Sequence, residues 1–200
     1  MAKRQKEKPT TPQPVGLRII GGKFRGRKLQ YSGDQRTRPM KDRLREAIFN
    51  LMGPSIRKKH AVDLFSGTGA LGLEAISRGA DSATLIEQHF PTAKIISGNA
   101  GTLEIESRVE IVTANVFIWH KRGPKLPETP WAVFCSPPYE FYVSRTEEML
   151  DLIGGLIEEA PAESLFVVEA DDRFDFSLLP QADQWNVRTY SPATVGILRK

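Results

Sequence analysis

An α/β fold with a mostly parallel sheet and helices on both faces is predicted by three observations. Strand-like and helix-like stretches alternate from residue 61 onward, and repeated βα units of this kind build parallel sheets. A glycine-rich turn containing Gly67, Gly69 and Gly72 separates the first strand of that series from its first helix. Ser136, Pro137, Pro138 and Tyr139 follow a later apolar strand, at the sheet edge where α/β proteins bind ligands. Two hundred residues, 40% of them hydrophobic and 26% charged, suffice for one such domain and its core.

Residues 1–15 are basic, rich in Pro and Thr and free of aromatic residues, and read as a disordered tail. Residues 16–200 then form a single domain, with an extension (16–59) ahead of a catalytic sheet (60–200). Within the extension, residues 17–30 (LRIIGGKFRGRKLQ) give two short strand-like pieces about Gly21 and Gly22, which predicts a basic hairpin. Residues 31–40 are a polar loop. From Lys41 the helical spacing of Leu44, Ile48 and Leu51 sets in, and Gly53-Pro54 ends it. Strands follow at 61–65, 82–86, 109–112, 131–135 and 164–169, with helices at 70–78, from about 91, and at 147–159. Residues 185–190 and 194–198 read as a closing hairpin.

The net charge of +4 is unevenly spread. Residues 1–60 hold 17 Lys and Arg against 4 Asp and Glu, whereas residues 61–200 hold 11 against 20. A basic front on an acidic body suits a polyanion, and the scatter of cations from Arg18 to Lys59 points to nucleic acid. No apolar run approaches a bilayer span, and the first residues lack the apolar region of a secretory signal. The single cysteine, Cys135, provides neither an internal disulfide nor a metal-ligand cluster. A cytoplasmic protein with no metal and no membrane partner is expected.

Gly67, Gly69 and Gly72 stand in G-x-G-x-x-G spacing, and Glu87 ends the next strand twenty residues beyond Gly67. Glycines allow the tight turn and the close backbone approach, and a carboxylate at Glu87 suits the two hydroxyls of an adenosine ribose. Two cofactors fit, a dinucleotide and S-adenosylmethionine. Asp63 ahead of the loop disfavours a pyrophosphate and suits the amino cation of a methionine moiety, so the methyl donor is preferred. Phe65 is a further candidate to line the donor pocket. In the later turn, the Ser136 hydroxyl and the Pro137 carbonyl are candidate acceptors for the N–H groups of an exocyclic base amine. Such an amine is a poor nucleophile, because its lone pair is delocalised into the ring. Tyr139 is placed to stack on an extruded base.

These residues resemble the RsmD-type methyltransferases, which methylate N2 of a guanine in small-subunit ribosomal RNA. The resemblance spans about residues 17 to 198 and rests on RIIGGKFRGRKL (18–29), TRPMKDRLREAIFN (37–50), DLFSGTGALGLEAISRGA (63–80), Glu87 and SPPY (136–139). It implies a class I, Rossmann-like sheet of seven strands with an antiparallel last strand. It also implies S-adenosylmethionine held by Arg38, Pro39, Asp63, Phe65, Gly67, Gly69, Glu87 and Asn115. RNA would be contacted by Arg18, Lys23, Arg25, Arg27 and Arg45, and catalysis carried by Ser136, Pro137 and Tyr139. The partner implied is ribosomal RNA or an assembling small subunit, met by a monomer. Two positions depart from the family pattern: Ser136 stands where Asp is usual, and Asn115 replaces an acid that approaches the adenine amino group. Ser136 brings the turn closer to enzymes that methylate cytosine N4. The other readings are a cytosine-N4 or different amino methyltransferase, a non-catalytic RNA-binding relative, and an NAD(P)-dependent oxidoreductase.

Overall fold

The computed structural model of the chain describes residues 16–31, 33 and 39–200; the basic tail and Arg38 lie outside the described residues. Its strands are β1 (His60–Asp63), β2 (Ser82–Ile86), β3 (Val109–Val112), β4 (Trp131–Cys135), β5 (Leu165–Ala170), β6 (Asn186–Tyr190) and β7 (Ala193–Arg199). They form one seven-stranded sheet in the order β3-β2-β1-β4-β5-β7-β6. The first five run parallel to one another. β7 runs antiparallel between β5 and β6, as the resemblance implies. Every residue of β4 (WAVFC) and β5 (LFVVEA) is buried. Continuous apolar runs of this kind are what a sheet covered on both faces requires.

Helices supply the cover. One core gathers side chains of α1 (Asp42–Met52), α2 (Ala70–Ser77) and α3 (Phe90–Thr102). A second core gathers those of α4 (Val116–Lys121) and α6 (Thr146–Glu159), with Tyr142 from the short α5 (Phe141–Ser144). Neither α4 nor α5 was expected. Six and four residues are too few to show a helical period, and the Asn115 cap was read as a ligand contact instead.

All eight residues of α2 are buried, because the basic hairpin lies across its outer side. Residues 17–29 pair antiparallel through a single bridge, Arg18 with Lys28. It is flanked by the Ile19 N–H to Arg27 C=O bond at 2.9 Å and the Leu29 N–H to Leu17 C=O bond at 2.8 Å. The Glu74 carboxylate on α2 accepts the N–H groups of Ile20 and Gly21 at 2.8 and 2.7 Å. The Ser77 hydroxyl accepts the Phe24 N–H at 2.9 Å and donates to the Gly21 carbonyl at 2.6 Å. Gly22, at φ +76°, presses so closely that a Cβ would come within 1.9 Å of the Ser77 carbonyl oxygen. Asn99 on α3 clamps the Gln30 backbone from both sides, at 2.7 and 3.0 Å.

Arg45 corrects an expectation. Its side chain has no exposed surface, so its guanidinium is not available to an RNA phosphate. It donates to the Arg18 carbonyl at 2.7 Å and to the Asp42 carboxylate at 3.0 Å, and its Nε lies 3.7 Å from Glu74. Burial pushes its pKa down, opposed by Glu74 and Asp42. It lies on the stripe of α1 that also holds the buried Ile48, Phe49 and Met52, three, four and seven positions on, which turns it inward, to fasten the hairpin against α2.

Candidate active site

Strand order reverses between β1 and β4, and the loops leaving these neighbours diverge to open a crevice at the carboxyl edge of the sheet. A cavity of about 1200 Å³ occupies it. Pro39, Phe65, Gly67, Glu87, Asn115, Ser136, Pro137 and Tyr139 all line this one space. Residues from five separate loops are thereby brought together.

The glycine loop is shaped by left-handed backbone at Gly67 (φ +50°) and Gly69 (φ +74°). Gly69 precedes α2 and has no side chain to cap it, so the cap comes from elsewhere. Asp63 Oδ2 accepts the Gly72 N–H at 3.1 Å, inside the first turn of the helix. Asp63 therefore does not line the cavity: it is 1% exposed, beneath the loop. Its other oxygen has no hydrogen-bond partner, and burial pushes its pKa up to about 7. Gly69 likewise supports the loop from behind, with Ile96 only 2.8 Å from where a Cβ would stand.

Glu87 faces the cavity and stiffens the same loop. Its oxygens accept the Gly67 N–H at 2.9 Å and the His89 N–H at 2.7 Å, leaving lone pairs for ribose hydroxyls. Asn115 differs from what was expected. Its carbonyl oxygen accepts the Phe117 and Ile118 N–H groups at 3.0 and 3.3 Å and caps α4, so the group left for a ligand is the amide NH₂, a donor. An apolar wall completes this end, in which Phe65, expected here, is joined by Phe117 and Phe141, which sequence reasoning missed. Phe65, Phe117 and Phe141 pack with ring centroids 6.0–6.1 Å apart, and the Arg145 guanidinium lies 4.0 Å from the Phe117 centroid. These groups fit an adenosine bearing a cationic tail: an aromatic wall, a carboxylate bound to the glycine loop, and beneath the loop a buried acid with one oxygen unpartnered.

At the other end, the Ser136 and Tyr139 hydroxyls both donate to the carboxylate of Glu169, one oxygen each. Glu169 is buried at the end of β5 and lines the cavity. In the sequence it matches a position the family tends to keep, but a strand end explains it equally well; only the β4–β5 register, which pairs Cys135 with Val168, brings it beside the turn. The carboxylate that position 136 lacks is thus present one strand away. Thr189, Tyr190, Ser191 and Pro192, where β6 turns into β7, form the rest of the rim. Arg18, Lys23, Arg25 and Arg27 are exposed on the hairpin; Arg27 also donates to the Thr102 carbonyl at 2.6 Å, and Arg18 pairs with Asp42 at 3.1 Å. Cys135 is buried beside the Tyr142 hydroxyl, and burial pushes its thiol up to about 12, so it is an inert core group. Among the described residues no three His, Cys, Asp or Glu side chains gather as a metal site, and no helix is long and apolar enough to cross a membrane.

A doubly wound sheet with an inserted antiparallel β7, a glycine loop after β1 and an acid closing β2 define a class I methyltransferase. The solved structure of an Escherichia coli protein, the candidate methyltransferase yhhF, superposes with a TM-score of 0.75 at 30% identity, over 92% of this chain and 98% of that one. An RNA methyltransferase from Salinibacter ruber, in complex with S-adenosyl-L-homocysteine, shares the fold alone, with a TM-score of 0.58 at 17% identity over 81% and 93% of the two chains. The family profile described as Conserved hypothetical protein 95 matches residues 17–194, and the chain belongs to that family, the RsmD family of methyltransferases. Ribosomal RNA small subunit methyltransferase D of Escherichia coli K12 is 38% identical over 156 residues, covering 77% of this chain and 76% of the relative. Its namesake from Haemophilus influenzae is 34% identical over 149 residues, covering 74% and 76%.

Proposed function

We propose that this enzyme transfers a methyl group from S-adenosylmethionine to N2 of a guanine in small-subunit ribosomal RNA. The observation that carries this reading is the single cavity joining Gly67 and Glu87 at one end to Ser136, Pro137 and Tyr139 at the other. The substrate class is supported by the two relatives named as small-subunit ribosomal RNA methyltransferases and by the exposed cations of the hairpin. The enzyme would act in the cytoplasm, as a monomer.

Glu87 would hold the ribose hydroxyls, the wall of Phe65, Phe117 and Phe141 would hold the adenine, and Asp63 would balance the amino cation from beneath the loop. Pro39 would border the same pocket. S-adenosylmethionine supplies an activated methyl group on a sulfonium whose departure leaves a neutral thioether. The chain's task is then to hold the amine in line and to take up its N–H groups, which raises electron density on nitrogen. Ser136 Oγ and the Pro137 carbonyl would accept those N–H groups, and the Tyr139 ring, fixed through its hydroxyl, would stack on the base. Arg18, Lys23, Arg25 and Arg27 would contact phosphates.

Methyl transfer from labelled donor to small-subunit RNA and particles, followed by nucleoside analysis, tests the reading. Label in N2-methylguanosine is expected. Label in N4-methylcytidine would replace the base while keeping the mechanism, and absence of label in RNA would remove the substrate class.

A further inference from the structure

Glu169 is a buried carboxylate at the cavity, and among the described residues no arginine or lysine pairs with it. Its hydrogen bonds come from two hydroxyls instead, Ser136 to Oε2 and Tyr139 to Oε1. Burying an unpaired charge is costly, so stability alone gives little reason for this arrangement. A reason appears in what it does to Ser136. A free serine hydroxyl offers a donor as readily as an acceptor. Once its hydrogen is committed to Glu169, the lone pairs are what Ser136 presents to the cavity. Tyr139, on the opposite oxygen, holds the carboxylate in the orientation that serves Ser136.

We infer that Glu169 is a positioning residue that polarises Ser136 and receives, through it, the proton released when the base amine is methylated. The inference rests on the amine-methylation reading above. As the N–C bond forms and the donor's C–S bond breaks, positive charge passes to the amine nitrogen. That nitrogen gives a proton to Ser136 Oγ while Ser136 passes its own to Glu169 Oε2. The charge of the sulfonium thereby ends as a proton on a carboxylate, leaving a neutral methylamine, a neutral thioether and a neutral acid. Water later removes the proton. No metal or further reactant enters the balance.

The test is single-turnover methyl transfer to small-subunit ribosomal RNA, measured across pH for the wild type, Glu169→Gln, Glu169→Asp, Ser136→Ala and the Glu169→Gln/Ser136→Ala double variant. Donor affinity is taken in parallel by calorimetry. Glu169→Gln, which keeps the shape and removes the charge, should slow transfer ~100-fold, the scale of a lost proton acceptor. Its donor affinity should stay within about threefold of wild type, because the donor contacts lie at the far end of the cavity. The acid limb of the wild-type pH–rate profile should disappear in Glu169→Gln and return in part in Glu169→Asp. The double variant should be no slower than the slower single one, since both act in one relay. A wild-type rate or an unchanged pH profile in Glu169→Gln would overturn the relay, as would losses that multiply in the double variant. A collapse of donor affinity in Glu169→Gln would assign the residue to the scaffold and overturn it too. If the wild type labels no RNA, the substrate reading fails and takes the relay with it; RNA labelled equally by wild type and Glu169→Gln defeats the relay alone.

Discussion

At the β1–β2 end of the cavity, the working groups are largely backbone. The N–H groups of Gly67 and His89 meet one carboxylate, Glu87, and the N–H of Gly72 meets another, Asp63. The β4–β5 end is built the other way, from two hydroxyls and a carboxylate whose owners are separated by 30 and 33 residues. Backbone donors survive most substitutions, so the shape of the first end hangs on few side chains, Glu87 and Asp63 foremost. Side-chain groups are lost by a single substitution, so the second end is where the proposed chemistry and target choice would reside.

That contrast can be broken experimentally, and the largest effect is expected at the second end. Ser136→Ala combined with Tyr139→Ala should lower single-turnover transfer ~1000-fold, within the range of lost acid–base and positioning groups, while donor affinity measured by calorimetry stays near wild type. A parallel loss of donor affinity would show that the two ends are not separable. The converse substitution, Glu87→Ala, leaves two N–H groups without their acceptor and should weaken donor binding ~50-fold. Its rate at saturating donor should change far less, and a rate loss with intact affinity would reverse the assignment.

Away from both ends, Arg25→Ala with Arg27→Ala should weaken RNA binding about tenfold at low salt. It should also flatten the salt dependence by about 1.5 in log–log slope, leaving donor titrations untouched. The smallest effect concerns Asp63. The folded chain keeps its proton up to about pH 7, whereas the unfolded chain releases it near pH 4. Unfolded molecules thus bind fewer protons between those values, and this contribution to stability is full below about pH 4 and lost as pH rises through 7. Asp63→Asn keeps an acceptor for Gly72, so its melting temperature relative to wild type should climb by a few degrees, ~2–4 °C per kcal/mol, as pH is raised across that window.

How far this architecture could be read in the chain differs between the two ends for the same physical reason. Asp63, the glycines and Glu87 lie within 25 residues and announce themselves by spacing, and the apolar runs of β4 and β5 announce a covered sheet. Ser136 and Tyr139 are visible as a stiff turn. Glu169 is not, because its role depends on which strand lies next to which, a fact of register that no local pattern encodes. Asn115 lines the cavity as expected, but nothing local shows that its oxygen caps α4 and leaves the amide NH₂ as the free group. Arg45 was read as a surface cation because a charged residue in a basic segment gives no sign that a buried glutamate, 29 residues on, will claim its side.

One helix connects these regions in a way that bears on which base is reached. The glycine loop opens α2, and the basic hairpin is fastened to Glu74 and Ser77 near its other end. An eight-residue helix is about 12 Å long and does not stretch. With RNA on the hairpin as proposed, it would act as a caliper: the span between gripped backbone and donor would be set by a rod of fixed length. A guanine presented closer to or farther from its anchoring phosphates than that span would be passed over.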